Sequence, residues 1–192
     1  MIKIIDPHYW QVEVEDFGRR PTNKYDISAL LYLIESCKKN IVEIGTWYGK
    51  TTYEIASRFP KKIIYTLDYM EEDLAISKHE LKTRCKTKED IGKYTSELGN
   101  VFLIYANSQT YDFNLFKEVD FFFIDGNHGF DEVRIDSVKA ITYLMKNDGG
   151  TIAWHDVHTK NLTQVPNYMQ HLSKTQDIYY LKNSNIGFIK VS

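Results

Sequence analysis

Short apolar runs recur along the chain, each halted by an acidic, asparagine or glycine turn and followed by a stretch with helical spacing. Residues 40–45, 62–68, 100–106, 119–125 and 151–155 read as strands. Residues 121–124 are apolar without a break, as expected of a strand covered on both faces. Between the strands, 50–58 and 129–146 carry helical patterns, and the charged stretch after Asp68 predicts a helix reaching about Ser96. Asp26 is placed to cap a helix whose apolar face is Ile27, Leu30, Leu31, Leu33, Ile34 and Cys37, ending at Asn40. Residues 162–173 predict a further helix, its start delayed by Pro166. The chain closes on 178–181, a polar turn at 182–185, and 186–191, the pattern of a hairpin.

Strands alternating with helices predict right-handed crossovers and a parallel sheet. The expected fold is α/β, Rossmann-like and doubly wound: a mostly parallel seven-stranded sheet with the hairpin as a C-terminal antiparallel edge. At 192 residues the chain fits one domain with a small addition. Residues 1–39 read as an arm and helix packing on a core unit of 40–192, and Trp10, Phe17 and the Gly18-Arg19-Arg20-Pro21 turn give the arm the look of a lid.

Composition narrows the partners. A hydrophobic share of 43% supports a sizeable core and excludes a disordered chain. The net charge of −2 gives no footprint for general nucleic-acid binding, and Lys38-Lys39 and Lys61-Lys62 read as solvated loop charges. No stretch approaches the ~20 apolar residues that span a bilayer, and the first residues lack a signal-peptide core. Cys37 and Cys85 have neither metal-ligand spacing nor a disulfide framework. A soluble, cytoplasmic protein is expected; a homo-oligomer is compatible with the sequence but has no signature in it.

Glu43-x-Gly45-x-x-x-Gly49 follows the first core strand. A phosphate-binding P-loop needs one more residue before its Gly-Lys-Thr than Gly45 and Gly49-Lys50-Thr51 allow, and G-x-G-x-x-G is absent. What remains is an acidic residue and two glycines that let the backbone pass close to a ligand. Asp68 ends the next strand 19 residues after Gly49, near the ~20 expected of a carboxylate holding ribose hydroxyls; a helix N-cap is its plainer role. Asn107 and Ser108 follow the third core strand, where an amide and a hydroxyl suit an adenine edge.

In this order, Glu43-x-Gly45-x-x-x-Gly49, Asp68, Ala106-Asn107-Ser108 and Asp125 resemble a class I S-adenosylmethionine-dependent methyltransferase. Ile124-Asp125-Gly126-Asn127-His128 with His155-Asp156 is similar to a family-24-like subgroup of small-molecule and sugar O-methyltransferases. The resemblance covers roughly 40 to 191. It implies that Gly45 and Gly49 pass the methionine part, Glu43 supports it, Asp68 binds the ribose, and Asn107 and Ser108 lie near the adenine. Trp47 either shields the cofactor or packs.

Methyl transfer to a hydroxyl needs in-line approach and removal of a proton. Asp125, His128, His155 and Asp156 lie at the ends of adjacent strands or just after them. Metal-dependent members of the resembling family place acidic ligands there, which makes Asp125 and Asp156, with His155, the candidate ligands for Mg²⁺ or another divalent ion. Without a metal, His128 or His155 becomes the candidate general base beside Asp125. Tyr111, Trp154 and Tyr168 read as core more than acceptor pocket, and Asp131 and Glu132 as favourable charges in a helix's first turn. The expected activity is methylation of a small hydroxylated acceptor; a cephalosporin-hydroxylase-like metal enzyme and a non-catalytic binding module are the alternatives on the same fold.

Overall fold

The computed structural model describes residues 1–6, 24–69, 87–159 and 163–192. Its elements are β1 (Ile2–Ile5), α1 (Lys24–Glu35), β2 (Asn40–Ile44), α2 (Lys50–Arg58), β3 (Ile64–Asp68), β4 (Val101–Tyr105), β5 (Val119–Ile124), α3 (Phe130–Lys146), β6 (Gly150–Trp154), α4 (Val165–Leu172), β7 (Ile178–Leu181) and β8 (Gly187–Val191). They form one sheet of order β1-β7-β8-β6-β5-β2-β3-β4. Among the described residues β8 alone runs against its neighbours, β6 and β7; the other pairings are parallel.

The two faces are covered separately. Phe121 and Phe123 join Ile27, Leu30, Ile34 and Ile55 from α1 and α2. Phe122 and Ile124 join Val133, Ala140, Leu144 and Met169 from α3 and α4. Alternate residues of β5 thus serve opposite layers, the period-2 geometry of a strand buried on both sides. Trp154 and Tyr168 belong to the second layer, and the Trp154 Nε1–H donates to Ser137 Oγ at 2.9 Å.

Three expectations change. The sheet has eight strands rather than seven, because Ile2–Ile5 pairs with β7 from Ile2↔Ile178 to Ile5↔Leu181. This strand is mostly exposed and shows no alternation to read; backbone pairing and ion pairs such as Lys3 with Asp177 at 2.6 Å hold it. The hairpin is therefore not the edge: β8 inserts between β6 and β7, with β1 outside both. α1 stops at Glu35, and Asn40 opens β2, its Nδ2 donating to Lys117 O and its Oδ1 accepting from Ile63 N. The predicted helix after Asp68 falls largely on residues outside those described; from Lys88 to Thr95 the chain makes two 3₁₀ turns parted by Gly92 at φ +68°. The arm residues Trp10 and Phe17, and Cys85, also lie outside the described residues.

β2 and β5 are neighbours from which the chain winds away in opposite directions. That is the switch point at which open α/β sheets bind ligands, beyond the carboxyl ends of the strands.

Candidate active site

The loop after β2 is pressed against the end of β5. Gly45 adopts φ +97°, and a Cβ there would fall 2.2 Å from Asp125 O, so only glycine fits. Gly49, at φ +84°, opens α2 without a side-chain cap and packs on Gly92. Between them Trp47 sits at φ +48°, an unusual conformation for a bulky residue. Its amide donates to Asp68 Oδ2 at 2.6 Å, and its carbonyl accepts from Gly92 N at 2.7 Å. The Trp47 Nε1–H is buried and has no hydrogen-bond partner among the described residues.

Glu43 lies beneath this loop, 1% exposed. Its carboxyl accepts from the hydroxyls of Thr52 and, at 2.6 Å, Thr66. Burial pushes its pKa up to about 8 against these hydrogen bonds, so the group is mostly neutral near pH 7 and ties α2 and β3 to β2. Asp68 holds the loop from the side: one oxygen binds the Trp47 amide and the other the Tyr69 amide at 2.7 Å. Asn107 and Ser108 follow β4 as expected; Asn107 Oδ1 accepts from Gln109 N at 2.9 Å within its own turn.

Beside the loop, β5 and β6 bring acidic and imidazole groups together. His155 Nδ1 lies 3.3 Å from Asp125 Oδ1 and 3.4 Å from Asp156 Oδ1, and its Nε2 lies 3.1 Å from Asp26 Oδ2. His128 Nε2 is 3.2 Å from Asp156 Oδ2 and 3.7 Å from Asp125 Oδ1. Burial works against charge on both rings, but the surrounding carboxylates outweigh it. His128 rises to about 9 and His155 far above the usual imidazole range. Burial likewise opposes ionisation of Asp125 and Asp156, yet the two imidazoles hold both below the ordinary carboxylate range. Asp156 adopts φ +59°, and its Oδ1 accepts from Thr159 Oγ1 at 3.0 Å and Asn185 Nδ2 at 3.1 Å. Such strain persists only where surrounding bonds enforce it.

This geometry redistributes the sequence-derived roles. Asp125, His128 and Asp156 each offer a ligand atom, all within 4.8 Å of one another. The His128 Nε2 atom is buried and faces the Asp156 and Asp125 carboxylates, with no well-aligned hydrogen bond among the described residues. Two carboxylates and an imidazole suit Mn²⁺, Zn²⁺ or Fe²⁺ better than Mg²⁺, so the residues present fit a divalent ion. His155, the imidazole expected as a ligand, is outside that trio and has both nitrogens facing carboxylates. Sequence reasoning missed Asp26 as a site residue: its Oδ1 accepts from Asn185 N at 2.6 Å while Oδ2 meets His155, so it braces the site rather than capping α1. No local pattern announces such a role, since its partners lie just after β6 and in the hairpin turn.

Two surface cavities lie away from this cluster. One of about 220 Å³ includes Cys37, Asp120, Thr151 and Lys190 at the amino ends of β5 and β6. Another of about 180 Å³ lies between α3 and the 111–114 segment. Neither is lined by Asp68, Asp125 or His155. Among the described residues, no helix is long and apolar enough to cross a membrane.

The family described as "Methyltransferase domain" matches residues 42–157, more than half of the chain. No curated protein matches it by sequence. Among solved structures, one from Staphylococcus aureus assigned as a caffeoyl-CoA O-methyltransferase is similar, with TM-score 0.60 and 18% identity over 90% of this chain and 85% of its own. The S-adenosylhomocysteine-bound methyltransferase PaMTH1 of Podospora anserina gives 0.60 and 19%, over 90% and 80%. The O-methyltransferase TomG of Streptomyces achromogenes, in complex with S-adenosylmethionine, gives 0.54 and 15%, over 90% and 82%. At these identities the likeness is one of fold.

Proposed function

The chain belongs to the methyltransferase-domain family, as a class I S-adenosylmethionine-dependent enzyme, and from that premise we propose that it methylates a hydroxyl of a small acceptor with help from a divalent metal. One observation carries the reading: a Cβ on Gly45 would fall 2.2 Å from Asp125 O, so the glycine loop is packed on the strand end that carries the acidic–imidazole cluster. Two of the similar proteins named above, both O-methyltransferases by description, support the hydroxyl acceptor.

S-adenosylmethionine supplies the electrophilic methyl group when bound. In this reading Gly45 and Gly49 let the backbone approach its methionine part, with Glu43 beneath as a neutral support. Asp68, which already steadies the loop through the Trp47 and Tyr69 amides, takes the ribose hydroxyls in this reading. The buried Trp47 Nε1–H supplies a donor on the same loop. Asn107 and Ser108 face the adenine.

A divalent ion would lower the pKa of the acceptor hydroxyl and orient it. Asp125, His128 and Asp156 are the residues that would hold it, His128 through an Nε2 freed of its proton while Nδ1 kept its own. His155 keeps its proton between Asp26, Asp125 and Asp156 and orients the two carboxylates. Residues 40–192 carry the cofactor and reactive groups, with 1–39 adding β1, α1 and the Asp26 brace. A cytoplasmic setting suits two cysteines placed in unrelated segments.

Calorimetric titration with S-adenosylmethionine and S-adenosylhomocysteine, with and without Mn²⁺ or Mg²⁺, tests this. Micromolar binding that weakens about tenfold or more in Asp68→Ala supports the cofactor site. Absence of binding in every condition overturns it.

A further inference from the structure

Lys139 lies in the middle of α3, where sequence position alone reads it as an ordinary helix lysine. Its ammonium reaches over the loop that follows β4. Nζ donates to the carbonyls of Ser108 at 2.5 Å, Gln109 at 3.0 Å and Tyr111 at 2.6 Å. An ammonium has three N–H donors, and each here meets a main-chain oxygen of one short loop. The same Nζ stands 4.4 Å from the centre of the Phe113 ring, which adds a cation–π contact.

Other bonds restrain the loop as well. Asp136, one turn earlier on α3, is 2% exposed and has its pKa pushed up to about 6 by burial, with Ser108 beside it opposing the rise. The Asn107 carbonyl accepts from Thr110 N at 3.1 Å and Tyr111 N at 2.9 Å. Burial lowers the Lys139 pKa, the cost of taking the ammonium out of water to serve this loop.

We propose that Lys139 is a positioning residue for the nucleobase subsite: by binding three carbonyls of 108–111 it fixes the edge with which Asn107 and Ser108 read a purine. The inference rests on the cofactor reading above. The base is uncharged, so the effect is geometric: it sets how well a 6-amino purine is told from a 6-oxo purine. A guanidinium is planar and cannot aim three N–H groups at one convergent set of carbonyls as an ammonium does.

The test is calorimetric titration of the full chain with S-adenosylhomocysteine and S-inosylhomocysteine, on wild type, Lys139→Met, Lys139→Arg and the surface control Lys182→Met. Wild type and the control should prefer the adenosyl ligand by about tenfold or more. Lys139→Met should lose most of that preference, and Lys139→Arg should recover part of it. A preference unchanged in Lys139→Met, or two affinities that fall in equal proportion, overturns the positioning role. Should the methionine variant fail to fold, Lys139→Gln provides the same ratio. Wild type that binds neither ligand removes the cofactor reading and this subsite with it; wild type that binds both equally overturns the base-reading role alone.

Discussion

Asp26 Oδ2 and His155 Nε2 meet at 3.1 Å although 129 positions separate them, so the first turn of α1 grips the ring at the end of β6. Asp26 is 5% exposed, and its other oxygen holds the Asn185 amide. Removing Asp26 leaves Asp125 and Asp156 to balance the His155 charge but strips the ring Nε2 and the Asn185 amide of their acceptor, which costs about 1–3 kcal/mol. Asp26→Ala should lose stability on that scale, and Asp26→Asn less, because the amide oxygen can still accept from Asn185. Urea unfolding of the three proteins measures the difference; equal stability of Asp26→Ala and wild type would exclude the brace.

Gly45→Ala should be damaging twice over. Its Cβ would overlap Asp125 O, and φ +97° is strained for any L side chain, at about 1–3 kcal/mol for the backbone alone. S-adenosylhomocysteine affinity should fall further than stability does, since relief of the overlap moves the loop off the strand end that carries the cluster. Paired melting and titration curves report the two effects separately.

Glu43 gives a pH dependence of definite sign. Its folded pKa is pushed up to about 8, against 4.5 for an ordinary glutamate. Below pH 4.5 the group is protonated whether the chain is folded or not, and it sets no slope. Between 4.5 and 8 the unfolded chain releases the proton while the folded chain keeps it. Stability therefore falls as pH rises across that window, by at most about 1.4 kcal/mol per unit, and levels off above it. Glu43→Gln, similar in size and always neutral, should lack this component. Urea unfolding from pH 5 to pH 8.5 would reveal it as a shallower slope in the variant.

For the metal, Asp156→Asn should lower Mn²⁺ affinity about tenfold or more while leaving S-adenosylhomocysteine binding nearly intact, because Asp156 borders the cluster but not the glycine loop. Electron paramagnetic resonance of free Mn²⁺ counts the ion left unbound. Equal Mn²⁺ binding by variant and wild type would overturn Asp156 as a ligand.

The parts of this molecule that sequence made legible are those governed by local pattern. Residues 121–124 announce a strand buried on both faces, and Gly45 and Gly49 announce a turn that a side chain would block. Pro166 marks the late start of α4. β1 was not legible, because an exposed edge strand held by main-chain pairing to β7 needs no alternation. Asp26 carries the signature of a cap, and only the folded chain brings it to His155. The two histidines illustrate a deeper limit. Both follow strands at the same edge, but the spacing of residues along a strand says nothing about which nitrogen is already engaged. Lys139 carries no local sign of its role for a similar reason: a lysine's long stem can carry its charge back over a neighbouring loop.

The position of β8 bears on the order in which the molecule can form. β2, β3, β4, β5 and β6 arise from one continuous stretch of chain, and their pairings close comparatively short loops. The pairing of β1 with β7, and the bond from Asn185 to Asp26, must instead join regions 150 or more residues apart (|i−j| = 159 for the latter), at a larger entropic cost. The glycine loop can therefore mature before the corner that steadies His155. A chain arrested between those two events would already hold the Trp47 amide on Asp68 while His155 still lacked its Asp26 partner, so the last hairpin to dock is the one that completes the corner.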